Sequence, residues 1–515
     1  MLKESYDPEL THLDLQTYEK MVPADHYLRR LKTAIDFTPC RALVADCCSP
    51  GMGRGALDPV RLLKLLLLQF HYGLSDEGVI REAQVNVAYR FFLDLPLDAN
   101  LPEPSLLSQF RTRLGEERFR RIFHEILRQA REAGLVKDRL RLKDATHVLA
   151  NIAAPATIEL VAQIRTRILD AAACFTPEEV ATHRRRAEEV RQTTVDLRDE
   201  ARLLHRVEHL RELVAWGDDW RNRLNESSLC SESERESFET ALKLGHKILK
   251  DREPKTGDKV ISLKDPDARS GKHIDYYDGY MLDVCLDSDS ELICGIDVLP
   301  ANADEAANAR PLIEQEEAVH GNDIESLSID AIGYNGAVLK SLSDDETGPQ
   351  LTVYVPPKGQ QPRHPELFQL DDFTLNETGD ELTCPQGETT QKRYRDDINH
   401  GWIFYYSVKK CRNCPLNAQC LMPGTNRGRR VYQNDFIEQY EAVQQRVTTD
   451  EYKQIRKEHP RIERKLNELV RWHSGRHVRY RNRFRVKVQY LLLAVVVNCK
   501  RIVRILEPAL QPQSI

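Results

Sequence analysis

Apolar residues crowd into one run near the start of the chain, Val60-Arg61-Leu62-Leu63-Lys64-Leu65-Leu66-Leu67-Leu68-Gln69-Phe70. A helix that is apolar nearly all round has to be buried. Asp58 stands where an N-cap is expected, and Pro59 at the first helical position, where its missing N–H leaves no bond unmade. Beyond Gly73, Ser75-Asp76-Glu77 starts another helix through Val79, Ile80 and Val87 to Phe92. Short helices joined by tight turns predict, up to about residue 137, either a helix-turn-helix-like module or a structural, dimerising bundle.

Around Leu140-Arg141-Leu142-Lys143-Asp144-Ala145-Thr146-His147-Val148 the period changes to alternation, which predicts a strand with Asp144 on one face. From about 156 to 250 the pattern is helical again, with Ile158, Val161, Ile164, Ile168, Leu203, Leu204, Val207, Leu210 and Leu213 among many charges. This is an inserted helical hairpin or small bundle, acting as a spacer or as a DNA contact. Tyr280–Leu286 and Glu291–Leu299 read as a hairpin about the turn Asp287-Ser288-Asp289-Ser290. A helix from about Ala303 to His320 and a strand from Ile324 to Ile329 follow, ending at Asp330. That order predicts a mixed sheet with two acids at adjacent strand ends. The late run Tyr490–Val497, between Lys487 and Lys500, is too short to span a bilayer and reads as a buried helix.

With 515 residues, 41% hydrophobic and 30% charged, the chain is expected to fold as two or three domains with a dense charged surface, and not to be disordered. Its start, MLKESYDPELTHLDLQ, has no apolar stretch behind a basic one, so the expected location is the cytoplasm, with no membrane contact. A net charge of -6 hides an uneven distribution. Between Arg461 and Lys487 many bases face only Glu463 and Glu468, and a second basic stretch runs from Arg111 to Lys143. Such blocks neutralise phosphates, or else form a solvated helix face. Arg111, Arg113, Arg464, Lys465, Arg471, Arg476, Arg479, Arg481 and Arg483 are the candidate DNA contacts.

Of the 12 cysteines, Cys40, Cys47, Cys48, Cys174, Cys230, Cys285, Cys294 and Cys499 are scattered, as in an ordinary intracellular chain. Cys384, Cys411, Cys414 and Cys420 instead lie in one loop-rich region with prolines and glycines. Four thiolates suffice for a closed, tetrahedral structural zinc site, and leave no open position for catalysis. A reduced cluster without metal is the alternative.

Hydrolysis and transfer of DNA phosphodiesters call for charge neutralisation on the entering and leaving oxygens, which two divalent ions about 3.5 to 4 Å apart provide. Hard ions want carboxylates, and like charges at about 4 Å repel by roughly 4 kcal/mol until a cation intervenes. Asp144 is followed by Thr146 and Asn151, Asp330 by Gly333-Tyr334, and Glu463 by Arg464 and Lys465. In these surroundings the chain resembles the bacterial insertion-sequence transposases of the DDE type. Further matching segments are Leu57-Asp58-Pro59 with its Leu-rich helix, Pro104–Leu114, Asp265-Pro266-Asp267-Ala268-Arg269 with Gly279-Tyr280, and Pro300-Ala301-Asn302-Ala303-Asp304. Arg479-Tyr480-Arg481-Asn482 and Asn498-Cys499-Lys500-Arg501-Ile502 are similar to the family's last helices. Two features depart from many relatives: Tyr334 lies four residues after Asp330 rather than three, and Arg471 stands where some carry a lysine. Glu458 and Glu468 flank Glu463; Ile462, Leu466 and Leu469, which define an adjoining core face, favour Glu463, with Glu468 as the alternative.

The resemblance implies a multidomain α/β protein with a ribonuclease H-like mixed-sheet core (138–155, 256–360 and 436–507). An N-terminal helical domain (1–137), a helical insertion (156–255) and a cysteine-rich insertion (361–435) would surround it. It implies Asp144, Asp330 and Glu463 as ligands of two Mg2+ or Mn2+ ions, activated water cutting at the transposon end, and the freed 3'-hydroxyl attacking target DNA. Partners would be double-stranded terminal repeats, target DNA and at least a second copy of the chain, in a bacterial cytoplasm at the nucleoid. A domesticated DNA-binding relative that does not cut, and a nuclease of the same fold that does not join ends, are the alternatives.

Overall fold

The run beginning at Pro59 folds as expected: Asp58 accepts a hydrogen bond from the Val60 amide at 3.0 Å, Pro59 opens the helix, and the residues from Pro59 to Phe70 are all buried. The computed structural model describes residues 9–44, 58–225, 229–254, 256–344, 348–358 and 364–510. Leu57, Cys47, Cys48 and the first eight residues of the N-terminal stretch lie outside the described residues.

Among the described residues the N-terminal part has seven helices: α1 (His12–Met21), α2 (Tyr27–Ala34), α3 (Cys40–Val44), α4 (Pro59–His71), α5 (Asp76–Val85), α6 (Val87–Phe92) and α7 (Pro104–Glu132). The helix expected through Val79 to Phe92 is two helices. Asn86 stops the first and caps the second by accepting from the amides of Ala88 and Tyr89 at 3.0 and 3.2 Å. Inside α7, Gly115 at φ 64 kinks the chain, a conformation that favours glycine.

Strand β1 (Arg141–Leu149) is followed by the insertion, α8 (Thr157–Ala172), α9 (Pro177–Thr193), α10 (Asp199–Asn225) and α11 (Glu232–Lys250), which bury their own core around Ile164, Ile168, Leu210, Leu213, Phe238 and Leu242. Next come β2 (Arg269–Lys272), β3 (Tyr276–Asp287), β4 (Ile293–Pro300), α12 (Ala309–His320), β5 (Ser326–Ser328), α13 (Gly336–Ser343) and β6 (Thr352–Tyr354). Helix α12 starts later than the pattern suggests. A turn holds the chain after Pro300, and Asp304 accepts from the Ala306 amide at 3.0 Å.

The main sheet has the order β2-β3-β1-β5-β6, with β4 sharing the outer edge of β3 with β2. β1, β3 and β4 pair antiparallel, and β1, β5 and β6 parallel. Gly279 is required where β3 passes the end of β1, because a Cβ there would stand 2.0 Å from the Val148 carbonyl oxygen.

A cysteine-rich unit follows: β7 (Thr374–Leu375), β8 (Leu382–Thr383), β9 (Thr389–Thr390), β10 (Arg393–Asp396), β11 (Gly401–Tyr405), α14 (Val408–Arg412), α15 (Asn417–Cys420) and β12 (Arg430–Asn434). Its two small sheets close on Phe373, Leu382, Phe404, Tyr406 and Val431. The chain ends in α16 (Ile437–Val447), α17 (Asp450–Glu458), α18 (Pro460–Asn467), one π-helical turn (Glu468–Trp472) and α19 (Arg483–Leu510).

The apolar run Tyr490–Val497 lies inside α19, which packs on α2, α4 and α7 of the N-terminal part and on β4 of the sheet. One hydrophobic cluster therefore runs from Leu28 through Leu142 and Tyr280 to Val503. Fully buried Arg141 ties β1 to the end of β3 through Asp287 at 3.0 Å and to α12 through Glu316 at 2.7 Å. Among the described residues no helix is long and apolar enough to cross a membrane.

Candidate active site

Strand register brings two of the expected acids level. Arg141 pairs with Leu327 and Leu142 with Ser328 in parallel, so the same step carried two residues on sets Asp144 beside Asp330. The Ile329 amide still bonds the Tyr354 carbonyl at 3.1 Å, so the sheet reaches as far as Asp330. Neighbouring strands lie roughly 5 Å apart. Asp330 then caps the short helical turn Ala331–Gly333, accepting from the Ile332 amide at 3.1 Å. Tyr334 leaves this turn to pack on Tyr440, with ring centres 4.8 Å apart.

Helix α18 carries Glu463, the third of the expected acids. By alternation Asp144 shares a face with Leu142 and Val148, and Ile462 and Leu466 of α18 join those two in one cluster, with α18 against β1. Glu463 is exposed, and among the described residues it has no hydrogen bond or ion pair. Its two neighbours are committed: Glu458 binds Arg139 at 2.9 Å and Arg461 at 3.2 Å, and Glu468 binds Lys465 at 2.9 Å and Lys500 at 3.3 Å.

Burial pushes the Asp144 carboxyl up to about 7, with the negative charges of Asp330 and Glu305 adding to the rise and the Ala145 amide and Lys143 opposing it. Burial also raises Glu305, again with Asp330 adding. This is the electrostatic strain of acids gathered without enough counter-charge.

Arg456 reaches the strand that leads to Asp330. It donates to Ser328 Oγ at 3.0 Å and to the Ile329 carbonyl at 2.9 Å. Burial lowers its guanidinium, while Tyr452, Asp330, Glu463 and Asp144 pull it back up. Arg456, Ser328 and His459 are functional candidates that the pattern of apolar positions does not single out, since nothing local marks a base two turns before Glu463 as facing a strand end.

The basic segment after α18 is pinned to the far end of β1. Leu149 and residues 476–478 exchange backbone bonds of 2.8 and 3.0 Å, Arg476 binds Thr146 and the His147 carbonyl, and Arg481 donates to the Asn151 carbonyl at 3.0 Å. Arg464, Arg471, Arg481 and Arg483 are exposed, as is Arg113 on α7. Two other candidate contacts point inward. Arg111 is buried in a two-pronged pair with Asp76, at 2.8 and 2.6 Å, and Lys465 is buried against Glu468. Arg479 donates to the Leu74 carbonyl at 3.0 Å and lies 5.0 Å from the centre of the Phe70 ring.

The chain matches the model of a transposase domain (DUF772) over residues 16–113 and that of a transposase DDE domain over residues 383–503. Both matches are to transposase domains, the second of the DDE type, and together they support an insertion-sequence DDE transposase. No curated protein and no solved structure matches it. The DDE-domain match takes in Glu463 and the four clustered cysteines, while Asp144 and Asp330 lie outside both matches.

Cys384, Cys411, Cys414 and Cys420 line one cavity with Tyr406 and Arg429. Burial raises the Cys420 thiol; Arg429 opposes the rise, and Cys411, Cys384 and Cys414 add to it. Sulfur donors suit zinc, and carboxylates suit magnesium. Among the described residues, however, no group of three or more His, Cys, Asp or Glu side chains is arranged to hold a metal ion. Neither set is a preformed cage, and zinc in particular has only the shared cavity in its favour.

Proposed function

We propose that the chain cuts DNA at insertion-sequence ends and joins them to target DNA, with Asp144, Asp330 and Glu463 as the acids of one active site. One observation carries the reading: a single guanidinium, Arg456, is bonded to the strand that leads to Asp330 and feels the charge of all three acids. The strand order, with an antiparallel β4-β3-β1 meander continued by parallel β5 and β6, supports a ribonuclease H-like core.

Bound magnesium or manganese ions, two in this reading, would neutralise charge on the attacking and leaving oxygens. Asp144, Asp330 and Glu463 bind these ions. Their hard oxygens fit the task, and Asp144 has most to gain, because a cation offsets the burial, and the added repulsion from Asp330 and Glu305, that keep it protonated. Arg456 balances the acids meanwhile. Arg476 lies just past Asp144 on β1, and with exposed Arg481, Arg464, Arg471, Arg483 and Arg113 it holds phosphates. The cysteine-rich unit is a second module, its four thiols the candidate zinc ligands, and the complex holds at least two chains on paired ends.

Asp144→Asn and Asp330→Asn test this. Cleavage of end-containing DNA should vanish while gel-shift binding stays, since the amide keeps shape but loses metal affinity. Residual cutting by either variant would remove that acid from the site. Cutting without joining of a pre-cut end would leave a nuclease, a reading that no feature of the site favours over transposition.

A further inference from the structure

The chain has four tryptophans, and three are occupied. Trp216 and Trp220 both donate to Glu179, at 2.6 and 3.0 Å, and the Trp402 ring lies 4.2 Å from the Arg393 guanidinium. Trp472 is 79% exposed, with no ring, cation or hydrogen-bond partner among the described residues. A single exposed apolar side chain is ordinary, as at Ile398 and Ile274, so what distinguishes Trp472 is the turn that carries it and the charge around it.

The backbone that carries the ring is tied down on both sides. It ends the π-helical turn Glu468–Trp472, in which Leu469 and Val470 are buried. On its other side His473 is buried and contacts Lys500 at 3.2 Å. The Gly475 amide returns to the Leu469 carbonyl at 3.1 Å, and the Tyr490 hydroxyl donates to the Gly475 carbonyl. A Cβ on Gly475 would stand 2.5 Å from the Leu469 oxygen, so the turn has no slack. Single π turns inside helices are uncommon and often mark functional positions.

Charge around the ring is one-sided. Arg471 and Arg464 are exposed and have no acid partner among the described residues. Arg471 is near enough to Arg476 to help burial lower that guanidinium, and Arg476 grips β1 at Thr146 and His147, just past Asp144. The nearby acid, Glu468, is taken up by Lys465 and Lys500. An aromatic plate among unpaired arginines fits a polyanion that offers a flat apolar face, which is a nucleic acid with an unstacked base. A base within an intact duplex has both faces covered.

We propose that Trp472 is a stacking platform for an unpaired base of the DNA held beside the carboxylate site. This rests on the proposed DNA transposition only for the identity of the polymer. The ring, the free arginines and the link through Arg476 to β1 are independent of which acids cut.

The test uses the full chain and two duplexes of one arbitrary sequence, identical except that one carries a short thymine bulge. Trp472→Ala should bind the bulged duplex about 5- to 150-fold more weakly, the range for losing one base–aromatic stack. Its affinity for the intact duplex should change less than about twofold, and Trp472→Phe should keep most of the preference. Equal binding of the bulged duplex by wild type and Trp472→Ala overturns the proposal, as does equal loss on both duplexes. Unchanged DNA binding with loss of self-association in sedimentation also overturns it, and assigns the ring to a second copy. Wild type that prefers the bulge through Trp472 yet never cleaves with magnesium would sink the catalytic reading and leave the platform standing.

Discussion

The Nδ1 atom of His459 lies 3.1 Å from the Ser328 hydroxyl, and this contact joins the strand that leads to Asp330 to the helix that carries Glu463. Arg456 reaches the same hydroxyl at 3.0 Å. Ser328 and His459 are both buried, so water cannot replace either bond.

Ser328→Ala should therefore loosen the site more than it unfolds the protein. Leaving buried polar partners unsatisfied costs about 1–3 kcal/mol. The melting temperature should fall by a few degrees, and cleavage should fall further than stability, because the relative position of two acids is lost. Full activity in a variant of reduced stability would show that the link does not position the acids.

Asp144 gives a pH dependence. Its carboxyl stays protonated up to about pH 7 in the fold but ionises near 3.8 when free, so its contribution to stability is full below that value and disappears as pH rises through about 7. The stability of wild type relative to Asp144→Asn should drop over that window in chelator. Magnesium should reverse the trend, with a larger thermal shift at pH 8 than at pH 6. A magnesium shift independent of pH would remove Asp144 from the metal site.

Buried histidines predict the opposite slope at lower pH. Burial lowers His459 to about 3 and His71, His124 and His209 to about 4, from 6.5. Each contributes stability that is present above about pH 6.5 and lost as pH falls through the folded value. Thermal melts in chelator should show an acid limb between about pH 6 and 4. His124→Gln should flatten part of it, and an unchanged limb would mean that His124 does not stay neutral in the fold.

Arg111 and Arg471 should separate stability from DNA binding. Breaking the pair leaves a half-buried Asp76 carboxylate held by Gln69 alone and removes a buried side chain, so Arg111→Ala should cost about 1–3 kcal/mol. Arg471→Ala should leave the melt unchanged and weaken DNA binding, with a shallower salt dependence. A stable Arg111→Ala with weakened binding would reverse the assignment.

The cysteine cavity is tested by metal content. Cys411→Ser should lower zinc per chain and the melting temperature together if its four thiols bind zinc. Full zinc in that variant would refute the four-thiolate site, and no zinc in the wild type would leave a reduced cluster.

Sequence alone determined the local structure. Asp58 and Pro59 start α4, alternation marks β1 and the hairpin, and apolar spacing finds the insertion and α19, because caps and periodicity act within a few residues. Which acids and bases stay free was decided by tertiary structure. Glu458 is occupied by Arg139, Glu468 by Lys500, and Arg111 by Asp76, while Glu463 keeps no partner among the described residues. Those partners are distant along the chain and meet only when β1, α18 and α19 pack. A charge is functional or structural according to what faces it across that packing, and local pattern carries no record of the facing group.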